Sequence, residues 1–421
     1  MQKIVIEGGR PLKGTVTISG SKNSALPILF ASILGDGPSV LRNVPELHDI
    51  DTTIRLLKFM GAKVIDGYPQ SLKISPNGIR HLTAPYELVK TMRASVLAMG
   101  PLLAKYGEAH VSLPGGCAIG ARPINRHLKA FEQMGAKVEM EGGGYVRLKC
   151  KRLQGARIEF DDITVTGTEN VVMAAALAKG ESVIENSAQE PEVVDLINAL
   201  NKMGAKIEGA GTKTITVQGV DTLHGCDHTI IPDRIETGTF MIAAAITGGS
   251  ITIEKADPAD VEALREKLEE IGVKITTSGN TIRIKGSKTW KATDVTTAPH
   301  PGFATDFQSQ FMALMSLAQG TSTITETIFE NRFMQALELT RMGADIKMEG
   351  NVAVVKGVKK LVGAPVMASD LRASASLILA GLAAEGLTEV HRVYHIDRGY
   401  ERIEQKLRKL GAKIKRVKVK F

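Results

Sequence analysis

The chain has 421 residues, of which 43% are hydrophobic and 23% are charged, and its formal net charge is +8. This length and composition predict a globular protein of about two domains. Only 4% of the residues are aromatic and no block of five or six basic residues occurs, which argues against nucleic-acid binding. A small anionic partner suits the positive charge better.

The termini and the cysteines indicate the compartment. The N-terminal segment MQKIVIEGGR has no long apolar stretch followed by a cleavage site, so no signal peptide is predicted. No apolar run reaches the ~18 residues of a membrane span. Cys117, Cys150 and Cys226 form an odd set without CxxC spacing, which indicates a reducing compartment and neither a disulfide framework nor a zinc site. We therefore expect a cytoplasmic protein that does not bind a membrane.

A helical stretch that ends in glycine and leads into a strand recurs six times, about every 70 residues. Each glycine suits the left-handed position just past a helix C-terminus. The glycines are Gly61, Gly135, Gly204, Gly272, Gly343 and Gly411. Before each of these stretches lies a helix of small apolar residues, apolar nearly all round and therefore expected to be buried. One unit then reads strand, buried helix, strand, amphipathic helix, strand, strand, and six units suggest two domains of three.

Polar residues recur where the buried helices are expected to begin. They are Lys22 and Asn23, Arg93, Glu169, Glu236, Asp306 and Arg372. If these helix N-termini converge, their N–H groups and dipoles form an anion-attracting centre. For any single acidic residue, such as Glu169 or Asp306, a helix cap is the more ordinary interpretation. A cation at a helix N-terminus is locally unfavourable, so Lys22, Arg93 and Arg372 together favour a functional site.

The loop SLPGGCAIGARPINRH, residues 112–127, combines a thiol, glycines and arginines. A cysteine beside Arg122 and Arg126 in a glycine-rich loop can have a lowered pKa and act as an acid or nucleophile. A cysteine alone is more often a small buried hydrophobe, but the glycines make burial of Cys117 less favourable. Cys150 and Cys226 lack such neighbours and are interpreted as structural. Arg398, in the triplet Asp-Arg-Gly, is by itself a weak signal.

The motifs together carry a family resemblance. GSKNSALP, LPGGCAIGARP, PDRIETGTF, ETIFENRF, DLRASASL and HIDRGYE are similar to those of the bacterial UDP-N-acetylglucosamine enolpyruvyl transferases, within the EPSP synthase superfamily. The resemblance covers essentially the whole chain. It implies an α/β fold, the inside-out α/β barrel, with two globular domains each of three repeated βαβαββ units. The first domain would comprise residues 1–21 and 232–421, and the second, residues 22–231, would carry the 112–127 loop.

The resemblance also implies the reaction. The enolpyruvyl group of phosphoenolpyruvate would pass to the 3′-hydroxyl of UDP-N-acetylglucosamine by addition and elimination, with release of phosphate, in a cleft between the domains. This is the first committed step of peptidoglycan synthesis. It would use no metal and no organic cofactor, and its partners would be these two small-molecule substrates.

The resemblance assigns roles residue by residue. Lys22, Arg122 and Arg398 match positions that hold phosphoenolpyruvate, Cys117 matches a proton-donating thiol that fosfomycin alkylates, and Asp306 matches a candidate base, so that Cys117, Asp306, Lys22 and Arg398 form the expected catalytic set. Further substrate contacts are expected at Asn23, Arg93, Pro123, Ile124, Asn125, Arg126, Thr164, Val165, Thr166, Ile328, Arg332, Asp370 and Arg372. Glu190 and Arg234 would support the site.

One motif departs from the family pattern. The family reads Arg-Pro-apolar-Asp after the loop, whereas this chain has Asn125 in place of the aspartate and a further cation at Arg126. This difference bears on nucleotide affinity rather than on reaction type. Two other functions stay open on the sequence: another anion-handling enzyme of this fold, such as the shikimate-pathway transferase or a phosphate cyclase, and a non-catalytic nucleotide-sugar binder. Cys117 argues against the first, and the presence of both an acid and a base argues against the second.

Overall fold

The structure is a computed structural model that describes residues 2–67, 71–90, 92–113, 124–329 and 331–418. The strands are β1 (Gln2–Glu7), β2 (Lys13–Thr17), β3 (Ser39–Arg42), β4 (Lys63–Gly67), β5 (Ser71–Ser75), β6 (Thr83–Ala84), β7 (Glu108–Ser112), β8 (Lys137–Glu141), β9 (Tyr145–Lys149), β10 (Arg157–Glu159), β11 (Glu181–Glu185), β12 (Lys206–Glu208), β13 (Thr214–Gln218), β14 (Asp227–Thr229), β15 (Ser250–Glu254), β16 (Lys274–Ser278), β17 (Thr281–Lys285), β18 (Val295–Thr296), β19 (Thr321–Thr325), β20 (Asp345–Glu349), β21 (Val352–Lys356), β22 (Pro365–Met367), β23 (Leu387–His391) and β24 (Lys413–Lys418).

The α-helices are α1 (Lys22–Ala31), α2 (His48–Met60), α3 (Tyr86–Val89), α4 (Met99–Tyr106), α5 (Asn125–Gln133), α6 (Val165–Ala175), α7 (Pro191–Lys202), α8 (Arg234–Ile246), α9 (Glu262–Glu270), α10 (Thr305–Met315), α11 (Gln335–Arg341), α12 (Leu371–Ala383) and α13 (Ile403–Lys409). Short 3-10 helices occupy Ser32–Leu34, Arg93–Ala98, Pro258–Val261 and Val393–Arg398.

The chain divides into two compact units. The first contains the chain through Ser19 and again from Pro232, and the second runs from Gly20 to Ile231. These divisions lie next to the residues at which the sequence analysis places the domain boundaries. Each unit has its own buried hydrophobic core. Among the described residues, no helix combines the length and the apolar character that crossing a bilayer requires.

Within the described residues the strands form six four-stranded sheets of one repeated topology. In each sheet a parallel pair is followed by two antiparallel pairings, as in the order β10-β11-β13-β12. The pairing places apolar residues of neighbouring strands opposite one another, for example Ile251 with Ile284 and Ile253 with Ile282. All four side chains are buried, so one face of this sheet contributes to the core.

The buried helices lie at the centre of each unit. In the first unit α8, α10 and α12 contact one another, and in the second unit α6 contacts both α1 and α4. Every residue from Ile235 to Ile246 is buried, which requires the small and apolar side chains of α8. By contrast, α9 buries only Leu264 and Leu268 and exposes its charged residues. The sheets and the amphipathic helices therefore cover a helical centre, the arrangement that the repeat predicts.

Two strands are exchanged between repeats. By sequence order β2 precedes α1, but it pairs in parallel with β15 of the first unit. Its place beside β3 is taken by β14, nearly two hundred residues later in the chain. Similarly β1 lies between β23 and β24, antiparallel to both. The expected order of elements in a repeat is thus completed by strands from distant parts of the chain.

The second buried helix is not regular. Residues Arg93–Ala98 form a 3-10 helix, and the α-helical geometry begins only at Met99. Pro101 has no N–H to donate. The N–H of the preceding residue, Gly100, donates to Asn170 Oδ1 at 2.9 Å. Pro101 is the third residue of α4, and in this first turn the missing N–H of a proline does not cost an intrahelical hydrogen bond.

All six repeat glycines are left-handed, with φ between +90° and +108°. At Gly135 a Cβ would meet only Gln154 Cγ at 4.0 Å, whereas at Gly61 it would lie 2.2 Å from the main-chain oxygen of Gly78. We expect Gly135→Ala to lower the free energy of unfolding by about 1–2 kcal/mol, because only the backbone is strained. Gly61→Ala should lower the free energy of unfolding by clearly more.

Urea denaturation of the two variants tests this expectation, and both sites lie in the same unit. Equal losses at the two sites would contradict the steric difference between them.

Candidate functional site

A carboxylate held by two arginines is the most concentrated charge arrangement of the first unit. Asp306 is the second residue of α10 and Arg372 the second residue of α12, while Arg332 lies just before α11. Arg332 Nη2 donates to Asp306 Oδ1 and Arg372 Nη2 donates to Asp306 Oδ2, each at 2.6 Å. Both arginines are buried, and the Asp306 side chain is 24% exposed. We call these three residues the Asp306 cluster.

The backbone of α12 and a tyrosine fix Arg372. Asp370 caps the helix by accepting from the main-chain N–H groups of Arg372 at 2.9 Å and Ala373 at 3.0 Å. The Arg372 guanidinium lies 5.4 Å from the centre of the Tyr400 ring, a cation–π distance. The Tyr400 hydroxyl is in turn bonded to Thr239 Oγ1 at 2.8 Å. Asp370 thus orients Arg372 by capping α12 rather than by contacting Asp306.

Arg332 is fixed through a second carboxylate. Its Nη1 donates to Thr305 Oγ1 at 2.9 Å, and the Thr305 hydroxyl donates to Glu326 Oε2 at 2.8 Å. The other oxygen of Glu326 accepts from the main-chain N–H of Ile328 at 2.9 Å. Ile328, an expected sugar contact, is therefore connected to the Asp306 cluster through Glu326 and Thr305. The sequence analysis did not single out Glu326, although it opens the motif ETIFENRF.

The cluster is ionised and carries an excess of positive charge. Burial would raise the pKa of Asp306, but the charges of Arg372 and Arg332 outweigh it and hold that pKa well below its usual range. Asp306 also raises the pKa of Arg372, against the effect of burial. Within the described residues, Arg332 Nε and Arg372 Nη1 are buried without a hydrogen-bond partner. Because a buried charged donor without a partner is costly, an anionic ligand would stabilise this cluster.

Arg398 lies at the end of the 3-10 helix Val393–Arg398, which packs on α12. Burial lowers the pKa of His395. The charge of Asp370 raises this pKa, and the charges of Arg398 and Arg392 lower it. Arg398 is half-buried, as is Asp370. The first unit thus brings together Asp306, Arg332 and Arg372 directly, with Asp370 and Arg398 around His395.

The second unit presents its own cations. Lys22 is the first residue of α1, and Ser21 caps that helix by accepting from the Ser24 N–H at 3.3 Å. Lys22 Nζ lies 3.3 Å from Asp49 Oδ2, and these side chains are only 12% and 3% exposed. The amine is therefore directed by a buried carboxylate on α2, while Asn23 beside it is half-buried.

His127 links several of the expected nucleotide-sugar residues. Burial, together with the charges of Arg93 and Arg126, lowers its pKa to about 4. Its Nδ1 accepts from Asn170 Nδ2 at 3.0 Å, so Nε2 carries the proton and faces Thr166 Oγ1 at 3.4 Å. A neutral imidazole thus lies among Arg93, Arg126 and Thr166. Sequence analysis missed His127, whose only signal was its place two residues after Asn125.

The start of α6 lies close to the start of α5. Thr164 caps α6 by accepting from the Gly167 N–H at 3.2 Å, so Val165 and Thr166 form its first turn. Arg126 forms an ion pair with Asp162, just ahead of that cap. The extra cation noted in the sequence is therefore neutralised locally. Asn125 is exposed and Ile124 buried at the first turn of α5.

Some expectations fall elsewhere. Cys117, Arg122 and Pro123 lie outside the described residues. Glu169 does not open α6, which begins at Val165; it is buried one turn inside, where burial and then the charges of Glu192 and Glu190 raise its pKa well above the usual range.

The two described cysteines are Cys150, half-buried, and Cys226, buried with a raised pKa. No group of three or more His, Cys, Asp or Glu side chains in the described part of the chain is placed to hold a metal ion.

The comparisons with known proteins agree along the whole chain. The family described as EPSP synthase (3-phosphoshikimate 1-carboxyvinyltransferase) matches residues 6–407. The UDP-N-acetylglucosamine 1-carboxyvinyltransferase of Geobacter metallireducens is 58% identical over 418 residues, which cover 99% of this chain and 100% of that protein. The enzyme of the same name from Geotalea uraniireducens is 59% identical over 417 residues, with 99% and 100% covered. This chain belongs to the UDP-N-acetylglucosamine 1-carboxyvinyltransferase family.

Solved structures confirm the predicted fold class for this member of the family. The enolpyruvyl transferase NikO from Streptomyces tendae matches with a TM-score of 0.89 and 25% identity over 99% of both chains. EPSP synthase from Acinetobacter baumannii matches with a TM-score of 0.76 at 19% identity, over 99% of this chain and 100% of that one. The latter shows a shared fold only.

The Asp306 cluster leads to a test of stability. The folded-state pKa of Asp306 lies below its unfolded value of about 4, so its charge stabilises the fold above that value and this stability is lost as the pH falls through the folded pKa. Asp306→Asn leaves two buried arginines without their carboxylate and should lower the free energy of unfolding by about 3 kcal/mol at pH 7. The deficit should be constant from about pH 6 to 8 and shrink only below about pH 4.

Urea denaturation at several pH values measures this deficit. Asp345→Asn, at an exposed position on β20 of the same unit, is the control and should change little. A deficit that already shrinks between pH 8 and pH 6 would mean that Asp306 has no lowered pKa.

Proposed function

We propose that this chain transfers the enolpyruvyl group of phosphoenolpyruvate to the 3′-hydroxyl of UDP-N-acetylglucosamine and releases phosphate, the first committed step of peptidoglycan synthesis. The observation that carries the proposal is identity of 58–59% over nearly the full length with enzymes named for this transfer. The odd cysteine count without CxxC spacing supports a cytoplasmic location. The segments 1–21 with 232–421, and 22–231, are proposed as the two domains.

The reaction needs one base and one acid. The sugar hydroxyl oxygen bonds to C2 of phosphoenolpyruvate while C3 takes up a proton, and loss of a C3 proton with phosphate then restores the double bond. We assign Asp306 as the base and Cys117 as the acid. Asp306 is ionised and so able to accept a proton, but its low pKa makes it a weak base while both arginines hold it. Substrate anions that draw Arg332 or Arg372 away would raise the pKa of Asp306 toward a useful range.

The cations serve the anionic reactants. Lys22, Arg122 and Arg398 are assigned to phosphoenolpyruvate, where fixed positive charge can stabilise the intermediate and the departing phosphate. Arg372 and Arg332 each have a buried N–H donor that no described residue accepts. An arginine can bind a carboxylate or phosphate through two parallel hydrogen bonds. These donors therefore support the assignment of Arg332 and Arg372 as substrate contacts. Asp370 is assigned as a further substrate contact.

The nucleotide sugar is assigned to residues of the second segment together with Ile328 and Asp306. Thr164, Val165 and Thr166 form the N-terminus of α6, whose free N–H groups favour a diphosphate. Arg93 and Arg126 lie near Thr166 around the neutral His127, and both are assigned as substrate contacts. Pro123, Ile124 and Asn125 are the remaining contacts assigned to the nucleotide sugar, and Asn23 is assigned as a substrate contact beside Lys22.

Phosphate release tests the function. Phosphoenolpyruvate with UDP-N-acetylglucosamine should give phosphate, and neither substrate alone should do so. Asp306→Ala should lower turnover about 10²–10⁴-fold, as expected for a lost general base, while the dissociation constant for the nucleotide sugar changes far less. Asp345→Ala should match the wild type. Release with shikimate 3-phosphate in place of the nucleotide sugar would refute the assignment, and near-normal turnover of Asp306→Ala would refute the base.

Cys117 offers a chemical test. Fosfomycin should add once to the protein, at the peptide that contains Cys117, because a thiol near Arg122 is favoured as thiolate. Cys117→Asp should resist fosfomycin and keep part of the activity, since a carboxyl can also donate a proton. Peptide mass spectrometry locates the adduct. Modification of Cys150 or Cys226 instead would contradict the assignment of Cys117.

A further inference from the structure

A buried polar network lies beside the start of α1, and the proposed chemistry does not use it. Its centre is Asp195 on α7, whose side chain is 4% exposed. The carboxylate accepts from His228 Nε2 at 2.8 Å, from the main-chain N–H of Ile231 at 3.2 Å and from the hydroxyl of Ser24. A buried carboxylate needs several such donors, and here they come from two separate parts of the second unit, α1 and the segment 228–231.

The protons of this network can be assigned. Lys202 Nζ lies 3.2 Å from His228 Nδ1. A lysine amine only donates, so Nδ1 is the acceptor and Nε2 carries the proton that is given to Asp195. Asp195 and Lys202 are seven residues apart on α7 and share one face of the helix, with His228 of β14 between their side chains. The imidazole is thus fixed in one tautomer and one orientation.

The network holds the first turn of α1 to the segment through which the chain leaves the second unit. Ser21 donates its main-chain N–H to the carbonyl oxygen of Ile231 at 2.7 Å, while Ser24 binds Asp195 through its side chain. Lys22 and Asn23 are the two residues between these anchored serines. The far end of the Lys22 side chain is held by Asp49 at 3.3 Å. Both the backbone and the amine of Lys22 are therefore fixed.

We propose that Asp195, oriented by His228, is a positioning residue that sets Lys22 and Asn23 for phosphoenolpyruvate. This inference rests on the proposed function, in which Lys22 contacts that substrate. Releasing Ser24 would free the first turn of α1 to rotate, and a displacement of about 1 Å at a reacting group can reduce the rate about 10²-fold. Stability alone does not account for a buried carboxylate, because well-packed apolar residues generally serve that purpose as well or better.

Three variants separate positioning from simple stability. Ser24→Ala removes the one side-chain bond between α1 and Asp195. Asp195→Asn keeps the volume but replaces one acceptor by a donor, which faces donors already present. Asn201→Ala is the matched control on the same helix: it removes the two 3.0 Å bonds between the Asn201 amide and the main chain of Ile207, neither of which involves α1.

The kinetic readout is the Michaelis constant for each substrate, with the melting temperature measured alongside. Ser24→Ala and Asp195→Asn should raise the constant for phosphoenolpyruvate about tenfold or more, and leave that for UDP-N-acetylglucosamine within about twofold. In the double variant the Michaelis constant for phosphoenolpyruvate should rise by less than the two single increases combined, because both substitutions act on the same hydrogen bond between Ser24 and Asp195. Asn201→Ala should lower the melting temperature without changing either constant.

A second readout does not require turnover. The rate at which acetic anhydride acylates Lys22, measured by mass spectrometry against exposed Lys58, should change severalfold in Ser24→Ala and Asp195→Asn and not in Asn201→Ala. If the wild type releases no phosphate, the proposed function fails while this labelling still decides whether Asp195 positions Lys22. If Ser24→Ala and Asp195→Asn only lower the melting temperature, with labelling and both constants unchanged, the positioning proposal is wrong.

Discussion

The central helices are buried along most of their length, and this constraint determines where polar residues stand in the chain. The orphan N–H groups of such a helix need acceptors from the protein. Four of the central helices receive one from a side chain at the cap, namely from Ser21, Thr164, Asp233 and Asp370. Helix α10 has Ala304 as its N-cap, whose side chain offers no acceptor, and it carries Asp306 in its first turn. Polar chemistry in each unit therefore lies at the beginnings of the buried helices, while the rest of each helix packs as core.

The two units balance their charges in different ways. In the second unit, two of the expected substrate-binding cations each have a carboxylate beside them, Lys22 with Asp49 and Arg126 with Asp162. In the Asp306 cluster a single carboxylate serves two buried arginines. The fold tolerates this excess because Tyr400, Thr305 and Glu326 hold the guanidinium groups from other sides. A negatively charged ligand would therefore be attracted to this cluster.

Much of this architecture could be predicted from the sequence because it repeats. The left-handed glycines at 61, 135 and 204 and the small-residue helices are local signals, and the structure has them where the pattern indicated. The exchange of β2 and β14 could not be predicted, since strand pairing depends on partners far along the chain. Nor could the ion pairs of Asp306, which join residues from two repeats. His127 was missed because a neutral buried histidine has no signature apart from its surroundings. Glu169 was misplaced by one turn because Thr164, rather than an acidic residue, provides the cap.

The exchanged strands also impose an order on biosynthesis. The described residues of the second unit lie between Gly20 and Ile231, and its last strand is β14, which completes its sheet beside β3. This unit can therefore fold while the ribosome is still translating the remainder, since domains generally fold as units during synthesis. β1 and β2 stay unpaired for longer, because their partner strands are synthesised later. β1, with its apolar residues Ile4, Val5 and Ile6, pairs only with β23 and β24 at the other end of the chain. An unpaired apolar strand is prone to aggregate. β1, which closes the last sheet of the native protein, is thus a segment that must be kept from aggregating while the chain is being synthesised.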